Sequence, residues 1–158
     1  MEEGLLVRRI RDGTVIDHIP AGRAFAVVRL LGLEGSGRRM AIVVNVDSRR
    51  MGLKDIVKVE GIYLSKEDTD RIALIAPTAT INIIQDYRVR EKRRVEPPEE
   101  LRGILKCPNP TCITRKPGEP LESRMRRVSV KPPRYRCVYC GTTLDLSDPD
   151  LALASLSG

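Results

Sequence analysis

Cysteine spacing carries the clearest chemistry in this chain. Its four cysteines form two pairs, Cys107-Pro-Asn-Pro-Thr-Cys112 and Cys137-Val-Tyr-Cys140, with 24 residues between them. A tetrahedral Zn2+ takes four thiolates, and two short Cys spacings deliver two ligands per turn. Pro108, Pro110 and Gly141 are turn formers suited to such knuckles. Two disulfides are the rival reading. Against them, the N-terminus Met1-Glu2-Glu3-Gly4 is acidic and no apolar leader region follows it. A cytoplasmic location is therefore expected, and disulfides are rare there outside hyperthermophiles. A site closed by four protein thiolates leaves no position for substrate, so one structural Zn2+ per chain is expected, with Cys107, Cys112, Cys137 and Cys140 as ligands.

No other residues assemble into a recognisable catalytic set. The chain has one His, no Gly-x-Ser-x-Gly and no cysteine beyond the four. Gly32-Leu-Glu-Gly35-Ser-Gly37 lacks the Lys-Ser/Thr of a phosphate loop and reads as a loop between helix and strand. Asp17-His18 alone reads as a polar turn, because a catalytic His needs a third, positioning group.

These residues sit on a chain of 158, long enough for one domain or two small ones. A composition 41% hydrophobic and 31% charged is that of a globular protein, and no apolar run is long enough for a membrane span. The net charge of +7 is spread evenly, with 19 basic against 16 acidic residues in 1–102 and 9 against 5 in 103–158. Aromatics make up 3%, a poor supply for stacking bases.

The charged, Pro-broken stretch from Glu91 to Arg102 reads as a linker or a short capped helix. It divides an α/β unit, residues 1–95, from a small metal unit, residues 103–158, with 96–102 as the joint. The second unit is too short to build a large core unaided, so the metal must supply much of its folding free energy.

In the first unit, Leu5 to Ile10, resuming from Thr14 to Asp17, predicts a strand. A helix is expected from Ile19-Pro20-Ala21, with Ala24, Val27, Val28 and Leu31 at helical spacing. Met40–Val46 and Ile56–Glu60 are β-branched runs. Ser65 with Asp68 opens a second helix as a capping-box variant, ending before Pro77. Thr80–Gln85 with Tyr87–Arg90 predicts the last strand. The fold class is α+β: a βαββαβ order fits a ferredoxin-like sheet with both helices on one face, followed by a small all-β zinc ribbon.

The string Arg11-Asp-Gly-Thr-Val-Ile-Asp-His-Ile-Pro-Ala21 resembles the signature of the regulatory chain of aspartate carbamoyltransferase. Met51–Glu60, Ala76–Asn82, Ile83–Tyr87 and both cysteine pairs match that family in the same order, over residues 5 to about 146. The resemblance implies a non-catalytic subunit that forms a homodimer and docks its zinc domain on the catalytic chain. The implied assembly is two catalytic trimers bridged by three regulatory dimers, controlled by ATP, CTP and UTP in pyrimidine synthesis. It also implies an effector site. Asp17 would hold the ribose, and His18 would sit beside the phosphates. Lys58 would reach ribose or base, and Lys92 would clamp the triphosphate. Ile10, Val15, Ile84, Tyr87 and Val89 would line the base pocket, with Asn82 nearby. Arg8, Arg9, Arg90, Arg93 and Arg94 depart from the expected pattern around that site. The competing reading is a zinc-ribbon nucleic-acid-binding or transcription-type factor using a basic patch between Arg124 and Arg136. The expectation is no nucleic-acid partner and no membrane.

Overall fold

A computed structural model describes residues 9–156, and the chain divides between Val95 and Glu96 into two compact units. The first unit is built on a five-stranded antiparallel sheet. Its elements run β1 (Gly13–Pro20), α1 (Ala24–Leu30), β2 (Met40–Ser48), β3 (Gly52–Glu60), α2 (Lys66–Ile75), β4 (Thr80–Gln85) and β5 (Arg88–Arg94). The strand order β2-β3-β1-β4-β5 is the expected split arrangement with one strand added at the edge.

Alternation along the strands decides which face is core. Ile16, Val57 and Ile81 are fully buried, whereas Val15, Lys58 and Asn82, one residue away on each strand, are half-buried. Since successive side chains point to opposite sides, the first set lies under the helices and the second on the helix-free face. Ala24, Val27 and Val28 of α1 and Ile72, Leu74 and Ile75 of α2 complete the core.

Gly13 begins β1 between β3 and β4, paired with Glu60 and Ile84. At its φ of +154° a Cβ would lie 2.1 Å from Val59 O, so only glycine allows this approach.

Two boundaries differ from the sequence reading. Ile19 and Pro20 finish β1 instead of opening α1. His18 takes a left-handed φ of 56°, making a bulge between Ile16 and Ile19 that lets the strand resume its pairing with β3. Helix α1 starts at Ala24 with no side-chain cap of its own. The buried Asp55 of β3 supplies that cap: its Oδ2 accepts from Gly22 N at 2.9 Å and Ala24 N at 3.1 Å, and its Oδ1 from Asn45 N at 3.0 Å. Thr80–Gln85 and the residues after Tyr87 are also two strands of a hairpin, not one. Asp86 and Tyr87, both at positive φ, make the two-residue turn. Helix α2 follows expectation, with Ser65 and Asp68 forming the reciprocal capping box.

The second unit holds a four-stranded antiparallel sheet, β6 (Glu100–Arg102), β7 (Arg124–Ser129), β8 (Arg134–Cys137) and β9 (Thr143–Asp145), in sequential order. Of the stretch read as a joint, Glu100–Arg102 is thus strand. Leu101, Met125, Tyr135, Leu144 and Leu146 form the core, and the Tyr135 hydroxyl donates to Pro98 O at 2.6 Å. To this sheet the tail adds α3 (Pro149–Ser155), capped by Asp148, an element the sequence reading left unassigned. No helix among the described residues is long and apolar enough to cross a membrane.

Candidate functional site

Two constellations stand out, one in each unit. In the second, the sulfur atoms of Cys107, Cys112, Cys137 and Cys140 all lie within 4.8 Å of one another. The Cys107–Cys140 pair is 3.5 Å apart and the Cys112–Cys137 pair 3.8 Å. A disulfide needs about 2.05 Å, so neither pair is bonded. Four sulfurs around a metal at about 2.3 Å would be separated by about 3.8 Å, and the cluster has that size.

Local chain chemistry builds the knuckles. Asn109 Oδ1 accepts from Thr111 N, and Cys112 N donates to Asn109 O, closing the first turn. Gly141, at φ 78°, donates its N–H to Cys137 O and closes the second. Hydroxyl groups stand beside two sulfurs, Thr114 Oγ1 at 3.2 Å from Cys112 and Thr142 Oγ1 at 3.2 Å from Cys140. Such outer contacts orient metal ligands.

The cluster is poorly suited to a metal-free existence. Burial pushes the Cys107 thiol up to about 12 and raises Cys137 also, while the Thr142 hydroxyl holds the more exposed Cys140 down to about 6. A cation that converts all four to thiolates removes the conflict between burial and charge. The donor set therefore fits a soft, tetrahedral structural metal.

In the first unit, residues far apart in sequence form one transverse row on the helix-free face. Val15 of β1 stands opposite Lys58 of β3 on one side and Asn82 of β4 on the other, and Asn82 stands opposite Lys92 of β5. Asn82 Nδ2 donates to Val15 O at 3.3 Å. Asp17, two residues along from Val15, pairs in register with Thr80, and Thr80 with Arg94. His18 Nδ1 is 2.9 Å from Thr80 Oγ1 and 3.9 Å from Asp17 Oδ1. Ile84 faces Gly13 and Val89 at the opposite end of the same face.

A family model described as the aspartate carbamoyltransferase regulatory chain, allosteric domain, matches residues 5–96, and one described as its metal binding domain matches residues 99–148. The chain belongs to the aspartate carbamoyltransferase regulatory-chain family. Similar proteins carrying that name include one from Hyperthermus butylicus, 61% identical over 146 residues that span 92% of this chain and 91% of the relative. Another, from Thermofilum pendens, is 59% identical over 91% of each chain. A third, from Staphylothermus marinus, is 56% identical over 89% of this chain and 86% of its own.

The first unit is thus the family's allosteric domain and the second its metal-binding domain, with the four cysteines gathered for a structural metal. Within the allosteric domain the helix-free face is strongly basic around Asp17. Lys54 Nζ approaches Asp17 Oδ1 to 2.9 Å, an ion pair the sequence reading missed. Period-2 spacing from Lys58 would have found Lys54, since both lie on one face of β3. Arg94 was noted only as a neighbour of Lys92, and its register with Thr80 and Asp17 depends on long-range pairing. Burial lowers the pKa of His18; Asp17 opposes that, and Lys54, Arg50 and Lys92 reinforce it. The imidazole is consequently neutral at pH 7, between a carboxylate and three cations.

The remaining predicted residues lie around these rows. Ile10 is buried just before β1, and Val89 is exposed on the edge strand β5. Tyr87 is half-exposed in the hairpin turn, its N–H donating to Arg11 O and its carbonyl accepting from Arg9 at 3.3 Å. Arg8 lies outside the described residues.

Proposed function

We propose that this chain is the non-catalytic regulatory subunit of an aspartate carbamoyltransferase, binding nucleoside triphosphates on its allosteric domain and holding one zinc in its metal domain. The observation that carries the effector reading is the row Lys58–Val15–Asn82–Lys92. Three strand spacings of about 4.8 Å place its two lysines about 14 Å apart. An elongated ligand lying across the strands would meet apolar, amide and cationic groups in sequence.

In this reading, Ile10, Val15, Ile84, Tyr87 and Val89 line the base pocket, and Lys58 reaches ribose or base. Asp17 holds the ribose. Its Oδ1 is already committed to Lys54 and to the His18 N–H at 2.6 Å, so Oδ2 is the oxygen offered to a hydroxyl. His18 and Lys92 take the phosphates, where compact cations suit concentrated negative charge. Asn82 holds the backbone of β1 in place beside the base.

The effectors are ATP, CTP and UTP, and the partner is the catalytic chain. Its assembly is two catalytic trimers bridged by three regulatory homodimers, in the cytoplasm. Zinc suits the metal domain because four thiolates in a closed tetrahedron are its preferred structural set.

Co-purification with the catalytic chain tests this directly, followed by activity measurements with each nucleotide. The catalytic trimer alone should be active and indifferent to nucleotides, and adding this chain should make it respond. An assembled complex that ignores all three nucleotides would remove the effector role.

A further inference from the structure

A cleft of about 510 Å³ opens beside the first cysteine knuckle, and neither the effector face nor the metal uses it. Its walls include Gly103, Lys106, Cys107, Arg115, Glu122 and Ser123, all within the second unit. That volume falls in the range of small-molecule sites.

The chain itself places the charged heads. Arg115 Nη1 donates to Cys107 O at 3.2 Å, which holds the guanidinium against the knuckle. Glu122 lies across Gly103, where a Cβ would come within 2.8 Å of Glu122 Oε2. Gly103, at φ +68° and with its N–H donating to Ser123 O at 2.8 Å, thus leaves the room that the carboxylate occupies. Lys106 is anchored through its backbone, its N–H donating to Ser155 O at 2.7 Å, and its side chain is exposed.

These groups line one cleft yet do not satisfy one another. Among the described residues, no ion pair joins Glu122 to Lys106 or Arg115, whereas Glu100 and Asp145 of the same unit are each paired with an arginine. Ser123 is 9% exposed, and its Oγ has no hydrogen-bond partner. A buried hydroxyl left unpaired costs free energy, so this one calls for a physical reason. Two cations against one carboxylate also leave the cleft with a positive charge in excess.

We propose that this cleft binds a small acidic amino acid. One ligand carboxylate meets the Arg115 guanidinium, whose planar fork matches it, and the other meets Lys106. The ligand ammonium meets Glu122, and the Ser123 hydroxyl donates to a carboxylate oxygen. The single net negative charge of such a ligand balances the excess of the cleft. A simple dicarboxylate would leave Glu122 without a partner, and a neutral amino acid would leave one cation without one. This site stands apart from the effector reading and does not depend on it.

Calorimetric titration of the zinc-loaded full chain tests it, with L-glutamate as the probe and glutarate and L-glutamine as controls. L-Glutamate should bind at about 1 mM or tighter, and each control about tenfold more weakly. Lys106→Gln and Glu122→Gln should each weaken L-glutamate about tenfold. Glutarate, which lacks the ammonium, should bind Glu122→Gln at least as well as wild type. That opposite response separates a lost ligand contact from lost folding. Zinc content, nucleotide affinity and Tm of both variants should match wild type. Equal binding of glutarate or L-glutamine and L-glutamate by the wild type overturns the assignment to an acidic amino acid. L-Glutamate binding that is unchanged in both variants overturns the site. No binding of L-glutamate to the wild-type chain at about ten times the expected concentration overturns the inference outright.

Discussion

Asp55 and Ala24, 31 residues apart, are joined by a 3.1 Å hydrogen bond that caps helix α1 from inside the sheet. The same carboxyl takes the Gly22 and Asn45 N–H groups, so one strand residue serves three backbone donors. Its neighbour Lys54 points to the other face and pairs with Asp17. Adjacent residues of β3 therefore serve the core on one side and the helix-free face on the other. Replacing Asp55 by Ala should destabilise the allosteric domain by about 3 kcal/mol, since buried donors would lose a strong acceptor. Denaturant unfolding followed by circular dichroism measures this, and zinc content should not change. A loss below about 1 kcal/mol would mean that water replaces the cap.

Lys58→Ala and Lys92→Ala should each weaken triphosphate binding about tenfold or more while leaving zinc content and assembly unaltered. Calorimetric titration with ATP and CTP provides the check. If neither variant changes affinity, the ligand does not lie along the Lys58–Lys92 row, and Lys54 and Arg94 become the cations to replace next.

The neutral state of His18 gives a pH signature. Its folded pKa is below the unfolded value of about 6.5, so the unfolded chain binds more protons near and below that pH. The contribution of His18 to stability is fully present above pH 6.5 and falls as the medium is acidified. A triphosphate placed beside the ring reverses the preference, so binding should take up a proton and strengthen as pH drops through 6.5. Titrations in buffers of different ionisation enthalpy would reveal this uptake, and His18→Gln should abolish it. Proton uptake that persists in His18→Gln would assign it to the phosphates alone.

Metal removal should act on one domain only. Blocking the four thiols with a mercurial should release one zinc per chain, unfold the metal domain and free the catalytic trimers. The allosteric domain should continue to bind nucleotide, because all four clustered cysteines belong to the other compact unit. Two disulfides and no zinc in protein purified under reducing conditions would contradict the metal reading.

Much of this was legible in the sequence because local signals agreed with the fold. The β-branched runs at Met40–Val46 and Ile56–Glu60 became β2 and β3, and the Ser65–Asp68 box opened α2. The cysteine pairs foretold their cluster because each turn is local. What stayed hidden depends on distant partners. Nothing near Ala24 announces that Asp55 will cap it, so the helix start was read several residues early. The left-handed His18, which lets β1 continue to Pro20, is a property of the bulge and not of histidine. Asp86-Tyr87 lacks the glycine that usually marks a hairpin turn, so β4 and β5 read as one strand. The α3 signal was present, Asp148 followed by Pro149, but it is short and lies beyond the metal motif.

Helix α3 also bears on how quickly the metal can leave. Lys106 N, next to the first ligand Cys107, donates to Ser155 O at 2.7 Å, and Leu105 bridges Leu156. The segment leading into the cysteine cluster is thus latched by residues beyond the last knuckle. The four sulfurs sit inside a chain loop closed at 105–156, and opening that latch would let Cys107 swing away while the other three stay in place. Removing residues 149–158 should accordingly leave equilibrium metal content nearly unchanged yet shorten the residence time of zinc against a chelator. The tail would then act as a kinetic guard on the cofactor.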